Sequence, residues 1–263
     1  MSSFSLSGKQ ILITGGSRGI GAEIVRVAAL QGAETIVIGY ASNNKAANDL
    51  ISTLQNDPST SKTTFHAVQG DLTNQKACQT FVKSATDKFK DGKFDGLVCC
   101  SGVMDMINLA DSTDDNLAHH FNVNVSGTLF TIQAALPHII NDGRIIAFST
   151  SVLASPQALQ PGYLQYTMCK AAIEQMVKVL QRDPTIGGPE RRIGINCVAP
   201  GATATELFLK GKSDEIIKRI GSLTTEGRIG QPDEVAEAIT FLLTPASRWV
   251  RGQLVRINGA QTL

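Results

Sequence analysis

"ITGGSRGIG", residues Ile13 to Gly21, sets Gly15, Gly19 and Gly21 between an apolar run, Gln10 to Ile13, and an amphipathic stretch. Glycine loses more backbone entropy than any other residue inside a regular element, so this cluster marks a turn that bends sharply or approaches something closely. A strand before it and a helix after it make it a βα turn. Bare N–H groups and the positive helix end can there receive a pyrophosphate that side chains would obstruct. The spacing, Gly-x3-Gly-x-Gly, departs from the GxGxxG of the standard dinucleotide fingerprint. A purely structural turn would use the same glycines, so the rest of the chain has to decide.

Outward from this turn, strand-like and helix-like stretches alternate. "QILIT" reads as a buried strand and "GIGAEIVRVAALQG" as a helix with Ile20, Ile24, Val27, Ala28 and Leu30 on a broad apolar face. "TIVIGY", "TTFHAVQGD", "FDGLVCCSG", "GRIIAFSTS", "RIGINCVAPG" and "GQLVRINGA" read as six further strands. Between them, "KAANDLISTLQND", "QKACQTFVKSATDKF", "NVNVSGTLFTIQAALPHI", "YTMCKAAIEQMVKVLQRD" and "PDEVAEAITFLLTP" carry helical periodicity. Apolar strands without polar alternation, separated by helices, predict a doubly wound α/β Rossmann fold with a seven-stranded parallel sheet and helices on both faces. No composition break divides residues 1–263, so a single domain is expected. Two segments interrupt the alternation. "PTIGGPERR" (Pro184 to Arg192) reads as a surface loop. Residues 203–230 form a long excursion after strand six, on the edge where open α/β sheets bind ligands, and read as a substrate-covering segment.

Composition narrows the function classes. The chain has 263 residues, 42% of them hydrophobic, and a net charge of +1 with acids and bases interspersed. No basic stripe invites nucleic acid, and no apolar run approaches the length of a membrane span. The five cysteines, Cys78, Cys99, Cys100, Cys169 and Cys197, follow no CxxC spacing, which argues for a reducing compartment and against zinc or a disulfide framework. "MSSFSLSGKQ" lacks the apolar core of a signal peptide, and a cytoplasmic protein is expected.

Chemistry enters with Tyr166-Thr167-Met168-Cys169-Lys170. A phenol with a pKa of about 10 is a poor proton donor or acceptor near neutrality, and a lysine at i+4 lies on the same helical face, where its charge would pull that value down. The pair suits hydride transfer to a carbonyl, with Tyr166 as acid in reduction and base in oxidation. A serine hydroxyl from "FSTSV" would donate to the carbonyl oxygen. Ser149 and Ser151, two residues apart on a strand, point the same way; Ser151, which precedes Val152, is the first choice and Ser149 the alternative.

These motifs, in this order, resemble the short-chain dehydrogenase/reductase family over about Gly8 to Gly259. Thr14 to Gly21 resembles its cofactor turn, Tyr166 to Lys170 its YxxxK, Asn124 its helix-four Asn, "GRIIAFSTSV" its serine strand, and Pro200-Gly201 its PG motif. "PGATATELFLKGKS" and "STSV" look closest to NADPH-dependent carbonyl and aldehyde reductases. The resemblance implies catalytic Asn124, Ser151, Tyr166 and Lys170, with Asn124 fixing a relay water and Lys170 holding the nicotinamide ribose. It implies NADP(H) contacts from Gly15, Ser17, Arg18, Gly19, Ile20, Gly21, Tyr40, Ala41, Ser42, Asp71, Leu72, Gly102, Tyr166, Lys170, Gly201 and Thr205. It also implies a small-molecule carbonyl substrate and a homotetramer. Cys99-Cys100-Ser101-Gly102 departs from the family's NNAG and loses an Asn side chain that helps hold the central sheet.

NADPH is expected over NADH because no Asp or Glu lies between Glu34 and Asp49, where an NAD site keeps an acid for the ribose 2′-hydroxyl. Tyr40 falls at that place, and Arg18, Ser42 and Asn43 can face a phosphate. A biosynthetic polyketide or imine reductase would use the same residues on another substrate, and a non-redox NADPH-binding protein would be free to lose Asn124, Tyr166 and Lys170. Adjacent His119 and His120 cannot both face one metal from a helix and read as solvated or packing residues. Cys169 reads as packing, and Trp249 as a core or interface residue.

Overall fold

The computed structural model describes residues 3–263; Met1 and Ser2, the start of the stretch read above as lacking a signal peptide, lie outside them. Strands and helices alternate as β1 (Gln10–Thr14), α1 (Gly19–Leu30), β2 (Thr35–Tyr40), α2 (Asn44–Asn56), β3 (Thr64–Gln69), α3 (Gln75–Thr86) and β4 (Phe94–Cys99). They continue as α4 (Asp114–Phe121), α5 (Gly127–Ala135), β5 (Ile139–Phe148), α6 (Leu164–Arg182), α7 (Pro184–Gly187), β6 (Gly194–Pro200), α8 (Glu206–Leu209), α9 (Asp214–Gly221), α10 (Pro232–Leu243) and β7 (Leu254–Ile257).

The strands form one seven-stranded parallel sheet in the order β3-β2-β1-β4-β5-β6-β7. The chain winds outward from β1 to β3, returns to β4 beside β1, and winds outward again. The crevice at the carboxyl ends of β1 and β4 is therefore the place where a doubly wound sheet takes its ligand.

Alternate residues of each strand feed two cores. Leu12, Val37, Leu97, Ile145 and Ile195 pack on one face with Phe81, Ile132 and Ile173 of α3, α5 and α6. Ile11, Ile13, Ile36, Ile38, Val98, Ile146 and Val198 pack on the other with Ile24 and Ile239 of α1 and α10. Helices on both faces explain why the strands carry so few polar residues.

Three local readings differ from the structure. The helix expected from Asn122 begins at Asp114, under a capping box of Thr113 and Asn116, and passes through a wide π turn, Asn122–Ser126, before α5. The Pro184 segment, read as a loop, opens with one helical turn capped by Asp183. Strand β5 stops at Phe148, so "STS" lies beyond it.

The 203–230 excursion has its ends drawn together. Thr203 and Gly230 form a parallel bridge, and the Gly230 N–H donates to the Ala202 carbonyl at 2.9 Å. The Arg228 guanidinium donates to both Glu234 oxygens, at 2.8 and 2.7 Å, and the Gln231 N–H donates to the same carboxylate at 2.7 Å. These bonds, Arg228 first, hold the Glu234 carboxyl down at about 2 from an ordinary 4.5. A carboxyl depressed on folding stabilises the fold above its unfolded pKa, and that contribution is lost as the pH falls through the folded value. The solvent-exposed setting keeps the effect small. Glu234→Gln is expected to lower the denaturation midpoint slightly at about pH 7, with the deficit shrinking as the pH falls from about 4.5 towards 2. An equal deficit at both ends of that range would contradict the ion-pair account.

Candidate active site

The glycine turn is as tight as its sequence suggests. Gly15 and Gly19 have φ of +64° and +56°, the left-handed region that favours glycine. A Cβ on Gly15 would stand 2.9 Å from the Ser101 nitrogen, and one on Gly21 only 2.2 Å from the Gly15 carbonyl oxygen. The loops after β1 and β4 thus touch at the crevice. Helix α1 begins there with no side-chain cap and no acid in its first turn, so its leading N–H groups can receive an anion.

The other residues expected at the cofactor follow the ends of the strands. Ser17 is half-buried, and Ile20 packs against the α1 core. Arg18 is exposed, and among the described residues its guanidinium has no hydrogen bond or ion pair. Tyr40 ends β2 half-buried, followed by exposed Ala41 and Ser42. The Ala41 carbonyl accepts from the Gln69 amide at 2.9 Å. Asn43 caps α2 through its side-chain oxygen, which leaves its amide nitrogen as a donor. Asp71 is exposed beyond β3, while Leu72 is buried under α5, where a Cβ on Gly127 would stand 2.3 Å from its carbonyl oxygen. The Thr205 methyl would lie 3.4 Å from a Cβ on Gly19, so the loop after β6 reaches the turn. A Cβ on Gly201 would stand 2.9 Å from Asn258. A cradle that excludes Cβ atoms, an uncapped helix start and a free guanidinium together fit a dinucleotide carrying phosphates.

Gly102 joins this cradle to the second cluster. A Cβ there would lie 2.9 Å from Asn124 Oδ1 and 3.6 Å from Lys170 Nζ. Asn124 sits in the π turn, a helical irregularity that recurs at functional sites. Its side chain is fully buried: Oδ1 accepts from the Val103 N–H, and Nδ2 donates to the Val103 and His120 carbonyls, all at 3.1 Å. Lys170 is buried, donates to the Phe148 carbonyl at 3.0 Å, and has Nζ 5.7 Å from the Tyr166 ring centre. Burial pulls the Lys170 ammonium down.

Tyr166 corrects an expectation. The i+4 spacing predicts a phenol drawn down by Lys170, yet burial dominates and pushes it up to about 12, against a lowering contact from the Thr150 hydroxyl. The lysine's charge is directed at a backbone carbonyl, so spacing on a helix face misjudged the electrostatics.

The serines also depart from expectation. β5 ends at Phe148, and beyond it Ser149 and Ser151 each have a partner other than Tyr166. Ser151 opens a 3-10 turn, is buried, and donates to the Ala199 carbonyl at 2.8 Å. Ser149 donates to Glu174 Oε1 at 2.7 Å. The hydroxyl beside Tyr166 is that of Thr150, which the sequence reading passed over. Its signal was the middle place in "STS", visible only once the strand end is known.

The remaining side chains are accounted for. His120 is buried, with Nδ1 3.0 Å from the Asn116 carbonyl oxygen and Nε2 accepting from the Asp105 N–H at 3.2 Å, so it braces the loop after Gly102; His119 is exposed. Among the described residues no group of His, Cys, Asp and Glu could hold a metal. Cys169 is buried, and burial raises its thiol to about 11, as suits a packing residue. Trp249 is 92% exposed, which removes the core reading. At the β4 loop, Thr14 Oγ1 accepts from the Ser101 N–H at 3.2 Å and links β1 to that loop.

Comparison with known proteins finds relatives over nearly the whole chain. The family described as enoyl-(acyl carrier protein) reductase matches residues 15–261. A short-chain type dehydrogenase/reductase of Picea abies is 33% identical, covering 97% of this chain and 93% of its own. An NADPH-dependent aldehyde reductase-like chloroplastic protein of Arabidopsis thaliana is 32% identical, covering 97% and 94%. The crystal structure of a short chain dehydrogenase from Burkholderia cenocepacia in complex with NADP superposes with a TM-score of 0.86 at 29% identity, covering 97% of this chain and 98% of the other.

Proposed function

This chain belongs to the short-chain dehydrogenase/reductase family, and we propose that within it the protein is an NADPH-dependent reductase of aldehydes or ketones. The observation that carries this reading is that Asn124 and Lys170 meet at Gly102, at the edge of a cradle that excludes Cβ atoms, with the Tyr166 ring beside Lys170. NADPH, when bound, supplies the hydride. The glycine turn would hold its pyrophosphate, Arg18 and Ser42 its 2′-phosphate, and Asp71 with Leu72 its adenine. Tyr166 keeps its proton at neutral pH because burial raises it, and so stands ready as the acid that protonates the nascent alkoxide. Lys170 would hold the nicotinamide ribose, and Asn124 a relay water behind it.

Residues 203–230 would cover the substrate; their exposed Leu207, Leu209 and Ile216 offer apolar contact. Loss of NADPH absorbance with a panel of aldehydes, simple ketones, polycyclic ketones and imines tests the reading and separates the carbonyl reductase from a polyketide or imine reductase. A folded protein that binds NADPH and oxidises it with no member of the panel would instead point to a non-redox binding protein. All five cysteines are free thiols, which fits a reducing compartment such as the cytoplasm, and among the described residues no helix is long and apolar enough to cross a membrane.

The assembly would be a homotetramer. Leu129 of α5 and Leu164, Met168 and Val179 of α6 leave apolar surface in water, Val179 at 60% exposure. Light scattering at micromolar concentration is expected to return four times the 28.0 kDa chain mass; a monomer would refute it.

A further inference from the structure

We propose that Thr150, rather than either neighbouring serine, supplies the hydroxyl that meets the substrate's carbonyl oxygen. The inference rests on the reductase reading above and assigns a residue to a part of that site.

A hydroxyl carries one proton to donate. Ser149 gives its proton to Glu174 Oε1 at 2.7 Å, and Ser151 gives its own to the Ala199 carbonyl at 2.8 Å inside a buried setting. Turning either hydroxyl towards a substrate would strip a partly or fully buried acceptor of its partner, a loss that folded proteins avoid. Thr150 differs. Its oxygen accepts from the Val152 N–H at 3.3 Å, which uses a lone pair and leaves the proton free. That hydroxyl adjoins the Tyr166 phenol.

Local geometry explains the exchange. Thr150 is extended, with φ −154° and ψ 143°, and caps the 3-10 turn Ser151–Ala154. Successive side chains in an extended segment point to opposite sides, so Ser149 and Thr150 part company. Tyr166, Lys170 and Glu174 lie at successive i+4 places on one face of α6. They meet three consecutive residues at the end of β5: Glu174 takes Ser149, Lys170 takes the Phe148 carbonyl, and Tyr166 meets Thr150.

In reduction the carbonyl carbon gains the hydride that bound NADPH would supply, becoming NADP⁺, as the C=O π bond breaks, and the oxygen gains the Tyr166 proton. Thr150 keeps its proton and donates a hydrogen bond, first to the charge developing on that oxygen and then to the phenolate left behind.

The test compares T150V, which removes the hydroxyl at nearly constant volume, with T150S, which keeps it, and with S149A and S151A. T150V is expected to lower kcat/KM by about 10²-fold, the effect of losing one oxyanion donor, with NADPH affinity retained. T150S should recover most of that loss, and S149A and S151A should each cost less than T150V. A second readout is independent of turnover. In protein carrying ¹³Cζ-tyrosine, the Tyr166 resonance, one of three and identified by its absence in Tyr166→Phe, should shift in T150V and return in T150S. A larger loss in S151A or S149A than in T150V, or a Tyr166 resonance indifferent to T150V, overturns the proposal. A wild-type protein that reduces no carbonyl overturns the reductase reading instead, and the resonance still decides whether Thr150 and Tyr166 are paired.

Discussion

Tyr166→Phe is expected to cut kcat by about 10²-fold or more while leaving the fold and NADPH affinity nearly intact, the range for a lost general acid. The substitution removes one oxygen and keeps the ring. The half-buried ring lies 6.3 Å from that of Tyr163, centre to centre, with Lys170 Nζ over its face, so its packing survives. Only the proton disappears. With the phenol pushed up to about 12, the group is protonated throughout the neutral range, so the wild-type rate of reduction should not fall between about pH 6 and 8 through titration of Tyr166. Steady-state kinetics on a variant shown to be folded by circular dichroism checks both statements, and near-normal turnover would remove Tyr166 from the chemistry.

The second large effect concerns the choice of cofactor. Wild-type kcat/KM for NADPH is expected to exceed that for NADH by about 10²-fold, because a 2′-phosphate would meet the unpaired Arg18 guanidinium and neutral donors at Ser42 and Asn43. Each charge-assisted hydrogen bond contributes about 1.5–3 kcal/mol, and two of them less desolvation leave roughly the 2.8 kcal/mol that a hundredfold preference requires. No carboxylate between Glu34 and Asp49 opposes the phosphate. Arg18→Ala should therefore weaken NADPH alone, because the guanidinium has no other partner among the described residues to lose. Tyr40→Asp places an acid at the end of β2 and should raise NADH use while repelling NADPH. Equal kcat/KM for the two cofactors in the unaltered protein, or an Arg18→Ala variant with unchanged NADPH affinity, would defeat the assignment.

Legibility in the sequence followed the range of the interactions involved. The glycine turn, the alternation of strands and helices, and the Tyr166–Lys170 spacing depend on neighbours within a few residues, and each can be read from composition and period. Gly15 and Gly21 announced a close approach, and the structure shows what approaches: the β4 loop at Ser101 and the turn's own carbonyl. The acid-free end of β2 was equally visible, since it requires only the absence of something in a short window.

The rest waited on distant partners. Whether Ser149, Thr150 or Ser151 faces Tyr166 depends on where β5 stops. It also depends on a carboxylate 25 residues away, which takes Ser149, and a carbonyl 48 residues away, which takes Ser151. The Tyr166 phenol was misjudged for the same reason, since burial among elements far apart in the chain outweighs a charge one helical turn away. The sequence by itself determined the doubly wound fold and the residues brought to its crevice, because short-range periodicity and backbone sterics decide those. Only the tertiary structure decided which hydroxyl is free to act and how tightly the phenol holds its proton, because hydrogen-bond partnership and desolvation arise from contacts that no local spacing encodes.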